Sequence, residues 1–165
     1  GRILRCLDTP GHARHHIAVH DTRSNACFTG DVFGLSYREF DTANGPFILP
    51  TTSPVQFDPD ALHASLRQLV ALDPAAMYLT HYGRVGDVVR LADDLHAQID
   101  AMVAIARAVH GKPDRHAALV EALTGLYAGR AAAHGWMQGR EALASLLAVD
   151  IELNAQGLEV WLDRG

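Results

Sequence analysis

The spacing of apolar positions changes period along the chain, and the changes mark its elements. Residues 2–8 (RILRCLD) read as a strand, and 17–21 (IAVHD) alternate apolar with polar side chains, as a half-buried strand does. Residues 26–29 (ACFT) form a third short run, reached through the hairpin-turn composition of Asp21-Thr22-Arg23-Ser24-Asn25. From Val32 to Asp60 no period holds, and Gly45, Pro46, Pro50, Pro54 and Pro59 predict a long irregular segment. Leaving directly from Asp31, this segment is expected to wall a substrate pocket or merely to connect to the next helix.

Asp58-Pro59-Asp60 opens that helix, with Asp58 as N-cap and proline at the first helical position. Leu62, Leu66, Leu69 and Val70 make its apolar stripe, Asp73-Pro74 ends it, and residues 77–80 (MYLT) read as a buried strand. Past Gly83 the period becomes helical. Val85, Val88, Ala92, Leu95, Ile99, Met102, Ala106 and Val109 predict one long helix of near-heptad spacing. Gly111-Lys112-Pro113-Asp114 breaks it. Leu119, Leu123, Leu126 and Tyr127 mark a second helix, and Leu143, Leu146, Leu147 and Ile151 one face of a third. Residues 158–162 (LEVWL) fit a helix end or a strand equally.

Composition narrows the class. At 165 residues, 48% hydrophobic and 20% charged, the chain buries a core without staples. A net charge of −5 without a basic run argues against general nucleic-acid binding. Cys6 and Cys27 both sit in apolar runs and read as buried free thiols. No signal peptide and no apolar run of membrane length is present, which points to a cytoplasmic protein without membrane association.

Three loops carry candidate chemistry. Thr9-Pro10-Gly11-His12, Thr29-Gly30-Asp31 and Leu79-Thr80-His81-Tyr82-Gly83 each follow a strand-forming run and each present one metal-ligating side chain. Imidazole and carboxylate suit zinc, and also iron or manganese. Nineteen residues separate His12 from Asp31 and 50 separate Asp31 from His81, so only the fold can assemble them. His15 and His16 are adjacent strand residues pointing to opposite faces, and packing or solvent exposure is expected of both before ligation. His20, His63, His96, His110, His116 and His134 fit no ligand spacing and are expected at the surface. Tyr82 is open to a substrate contact or a packing role.

In this order and context the three motifs resemble the metallo-β-lactamase-fold hydrolases over about the first 83 residues. The resemblance implies an α/β fold, part of an αββα sandwich, with residues 1–84 as the C-terminal half of such a domain and 85–165 as an all-helical region. It implies His12 on a first metal, Asp31 as a bridging carboxylate and His81 on a second metal, with one or two zinc ions in the whole protein. The superfamily's HxHxDH motif is absent, so a half-domain is expected, inactive and weakly metal-binding alone. Fifty residues leave no room for the inserted domain of RNA-processing members, and the β-lactam-resistance enzymes are usually secreted and lack a long helical tail. The implied activity is hydrolysis of an ester, thioester or lactone, as in glyoxalase-II-like and lactonase-like members, with an iron-using oxygenase relative as a further possibility. The reading of another class is a non-catalytic half-domain or oligomerisation module, with a homodimer formed through the helical region.

Overall fold

The computed structural model describes residues 1–52 and 55–164; Pro54 of the irregular segment and the terminal Gly165 lie outside them. Five strands make one sheet in chain order: β1 (Leu4–Asp8), β2 (Ile17–Asp21), β3 (Ala26–Gly30), β4 (Ala76–Leu79) and β5 (Gly83–Val85). All neighbours are antiparallel except β3 and β4, which run parallel because the irregular segment and helix α1 (Pro59–Val70) return the chain between them. Asp58 caps α1 as its residue type predicts, accepting the Ala61 N–H at 3.0 Å.

The strand period sets two unlike faces. Ala18, Cys27, Met77 and Val85 point inward and are fully buried, while the register row Cys6–Val19–Phe28–Tyr78–Arg84 faces the other way. On that outer face the Phe28 and Tyr78 rings stack at 5.0 Å and remain largely exposed. Cys6 lies there and is exposed, so only Cys27 is the buried thiol expected of both.

Four helices follow: α2 (Val88–Val109), α3 (Arg115–Ala133), α4 (Gly139–Leu146) and α5 (Ala148–Leu162). The 158–162 run is therefore helical. Val85, which the spacing assigns to the long helix, instead pairs with Met77 in β5. Tyr82 and Gly83 take left-handed φ values of 71° and 91°, which fold the chain back as a hairpin before the helix can start. The expected third helix is two, divided at Leu147. Leu143, Leu147 and Ile151 are buried as expected, whereas Leu146 is partly exposed.

The irregular segment carries much of the core. Phe33, Phe40, Phe47, Ile48, Leu49 and Phe57 are all buried in one hydrophobic cluster with Leu91, Leu95 and Ile99 of α2. Asn154 of α5 ties the segment to the tail. Its carbonyl oxygen accepts the Thr52 N–H at 2.8 Å, and its amide donates to the Pro50 carbonyl at 3.1 Å and the Tyr127 hydroxyl at 2.8 Å. A buried amide with all these partners holds one geometry, since losing any leaves an unpaired polar group.

Candidate metal centre

The ends of β1, β3 and β4 deliver His12, Asp31 and His81 to one place. His12 Nε2 stands 3.6 Å from Asp31 Oδ2, and His81 Nε2 stands 3.5 Å from Asp31 Oδ1. Asp31 is thus shared between two imidazoles, one on each carboxylate oxygen.

Two glycines make the approach possible. Gly11 adopts φ 126°, and a Cβ there would lie 2.3 Å from the backbone nitrogen of Leu62. The turn is fastened to α1 by Asp58 N–H donating to the Gly11 carbonyl (2.8 Å) and Ser65 Oγ donating to the Pro10 carbonyl (2.6 Å). Gly30 adopts φ 54°, and a Cβ there would meet His16 Nε2 at 2.4 Å.

His16 sits behind the site. Its Nε2 accepts the Asp31 backbone N–H at 3.1 Å, so its proton is on Nδ1, which donates to Thr9 Oγ1 at 3.0 Å. Burial and the neighbouring His12 push this imidazole below its ordinary pKa, which keeps Nε2 an acceptor. Both ring nitrogens are engaged, so His16 positions the Asp31 loop. His15 is exposed. Sequence spacing let at most one of His15 and His16 face the site and carried no signal for this hydrogen bond.

The donor set fits a cation. His12 Nδ1 lies 3.3 Å from the Thr51 carbonyl, to which its N–H donates, leaving the Nε2 lone pair toward Asp31. Asp31 Oδ1 is buried and has no hydrogen-bond partner. Two ligands on one tetrahedral zinc lie about 3.3 Å apart, close to both observed nitrogen–oxygen separations. Among the described residues, no three His, Cys, Asp or Glu side chains group tightly enough to hold an ion by themselves.

Tyr82 follows His81, and its ring lies 4.0 Å from that of Tyr37. The Tyr37 hydroxyl donates to Asp150 of α5 at 2.6 Å, and burial pushes the phenol pKa upward, with Asp150 adding to the shift. The turn carrying His81 is thereby braced against the irregular segment and the helical tail.

Several histidines expected at the surface are not free there. His20 is buried, with Nε2 3.0 Å from Asn25 Oδ1. His63 and His96 stack at 4.8 Å, with their Nδ1 atoms 2.5 Å apart. His116 lies between Glu159 and Glu152, and His134 Nε2 donates to the Gly45 carbonyl at 3.0 Å. Helix packing creates the His63–His96 and His116 contacts, and loop contacts hold His20 and His134; spacing along the chain registers neither.

The five-stranded sheet, with the candidate loops at its strand ends and helices on one face, matches part of the αββα metallo-β-lactamase fold. The curated relative and the solved structures the chain matches are metallo-β-lactamase superfamily proteins. The metallo-β-lactamase fold-containing protein ST1585 of Sulfurisphaera tokodaii is 36% identical over 85 residues, covering 52% of this chain and 29% of that protein. The crystal structure of ST1585, an archaeal metallo-β-lactamase superfamily protein, aligns with a TM-score of 0.51 at 24% identity, over 96% of this chain and 46% of that one. The metallo-β-lactamase family protein TTHA1429 of Thermus thermophilus aligns at 0.54 and 23% identity, over 90% and 45%. The chain therefore spans about half the length of these solved structures. No protein-family model matches it.

Proposed function

We propose that these residues contribute to a metal-dependent hydrolase of the metallo-β-lactamase fold, with His12, Asp31 and His81 as its metal ligands. The observation that carries the reading is the shared carboxylate: Asp31 faces an imidazole on each oxygen, and its buried Oδ1 lacks any other partner. Superfamily membership of the relatives supports metal dependence in general. In this reading His12 would hold a first cation and His81 a second, with Asp31 shared between them, zinc being the ion these donors favour. A bound divalent metal lowers the pKa of a water and polarises a substrate carbonyl. The chain's own part is to fix the donors. Thr51 sets the His12 tautomer, His16 sets the Asp31 loop, and Tyr82 packs on Tyr37 beside His81. Esters, thioesters and lactones, as in glyoxalase-II-like and lactonase-like members, are the proposed substrate class.

Three ligands spread over two cations leave each below the usual three or four, so residues 1–165 alone should bind zinc weakly and turn over no ester. Zinc titration by calorimetry tests this. The expected result is weak binding abolished in Asp31→Ala. Tight stoichiometric zinc would overturn the expectation for the isolated chain, and binding unaltered by Asp31→Ala would overturn the ligand assignment. The exposed row around Phe28 and Tyr78 favours a second reading, a non-catalytic association module. That reading predicts no zinc binding at all by the same measurement.

A further inference from the structure

On the far side of the Pro10-Gly11 turn from His12, a cleft of about 770 Å³ opens between α1, the second half of α2 and the end of α5. This volume lies within the range that small-molecule sites occupy. Asp100, Val103, Arg107 and His110 line it along one face of α2, a run of about 15 Å at the helical rise.

The two ends of this run differ. Three carboxylates line the cleft: Asp58 caps α1, Asp100 accepts from His63 Nε2 at 3.1 Å, and Asp60 lies in the first turn of α1. At the Arg107 end of the run the charge is positive. Arg14, Arg107 and Arg164 line the cleft, and among the described residues none of the three joins an ion pair. The Arg107 guanidinium lies 5.7 Å from the centre of the Trp161 ring, and Phe57 meets the same ring edge-on at 6.3 Å. The cleft thus combines an aromatic wall with guanidinium groups lacking a carboxylate partner. A guanidinium over an aromatic face retains its in-plane N–H donors for an oxyanion.

We propose that this cleft binds a small molecule carrying one acidic group and one flat apolar ring. The acid lies on Arg107 and Arg14, and the ring packs on Trp161 beside Val103. The Asp100 carboxylate repels the acid from its own end of the run and so fixes the orientation. The site is separate from the metal centre, because Pro10 and Gly11 line it and His12 does not. Its ligand would therefore bind whether or not metal is present.

The probe is 1-naphthoate, with neutral 1-naphthamide as its control, followed by tryptophan fluorescence and by calorimetry on the full chain. Saturable quenching by naphthoate is expected, with naphthamide at least tenfold weaker. Arg14→Ala and Arg107→Gln should each weaken naphthoate binding about tenfold, while Asp31→Ala leaves it unchanged. Arg14 is exposed, so its substitution carries the test even if Arg107→Gln proves unstable by circular dichroism. Equal affinity for the neutral amide, no saturable binding, or binding indifferent to Arg14→Ala would each overturn the proposal.

Discussion

His16 Nε2 accepts the backbone N–H of Asp31 at 3.1 Å, so the residue bridging the candidate ligands is held by a histidine that is not one of them. The bond requires Gly30, whose missing side chain leaves room for the ring. His16→Ala strands a partly buried N–H, at a cost of about 1–3 kcal/mol. At this chain length each kcal/mol lowers the melting temperature by roughly 2–4 °C. The expected outcome is a melt lowered by several degrees together with weaker zinc binding, whereas His15→Ala changes neither. Gly30→Ala should resemble or exceed His16→Ala in both measurements. Equal melts for His16→Ala and the parent would show that the bond does not hold the loop.

A second expectation concerns pH. The carboxylates of Glu159 and then Glu152 raise the pKa of His116, and this trio joins α3 to α5. A pKa raised on folding contributes stability that is full below the unfolded value, about 6.5, and is lost as pH rises through the folded value. Moving from about pH 6 to about pH 8.5 should therefore lower the melting temperature through His116, and His116→Gln should flatten that part of the profile. Because His116 is partly solvent-exposed, screening keeps the effect small and more salt reduces it further. A His116→Gln profile parallel to the parent's over this window would show that the trio adds nothing.

The sequence made the sheet legible because β1, β2 and β3 are short strand-forming runs beside turn residues, and the candidate ligand loops lie where those runs stop. Asp58 and Pro59 likewise announced α1 through local hydrogen bonding and a fixed φ. What stayed hidden depends on contacts distant in sequence. Phe33, Phe40 and Phe47 are core residues, yet the Gly and Pro among them leave no helix or strand pattern to mark them. β5 is three residues long and exists through its pairing with β4. The candidate ligands were legible as residues, but the Thr51 and His16 bonds that aim them were not, since backbone partners leave no mark on residue type.

The last expectation concerns the stripe of α2. Leu95 and Ile99 are each 1% exposed, within the chain's own cluster of Phe33, Ile48 and Leu49 on one side and α3 and α5 on others. The stripe thus needs no second copy to cover it. A carboxylate placed there loses the apolar burial, about 1.5–3 kcal/mol, and adds the cost of an unpaired buried charge. Against a total stability of about 5–15 kcal/mol, Leu95→Asp or Ile99→Asp should leave little cooperative melt. Asp94 lies on the neighbouring face of α2, paired with Arg90 at 3.0 Å and partly exposed, where such a pair is worth about 0–1 kcal/mol. Asp94→Ala should melt within a few degrees of the parent. Thermal melts decide the outcome, with light scattering on the same samples. Cooperative melting of both stripe variants near the parent's temperature would mean that α2 is not packed as described. A stripe buried between copies would instead make the parent's own melt depend on protein concentration, whereas burial within one chain predicts no such dependence.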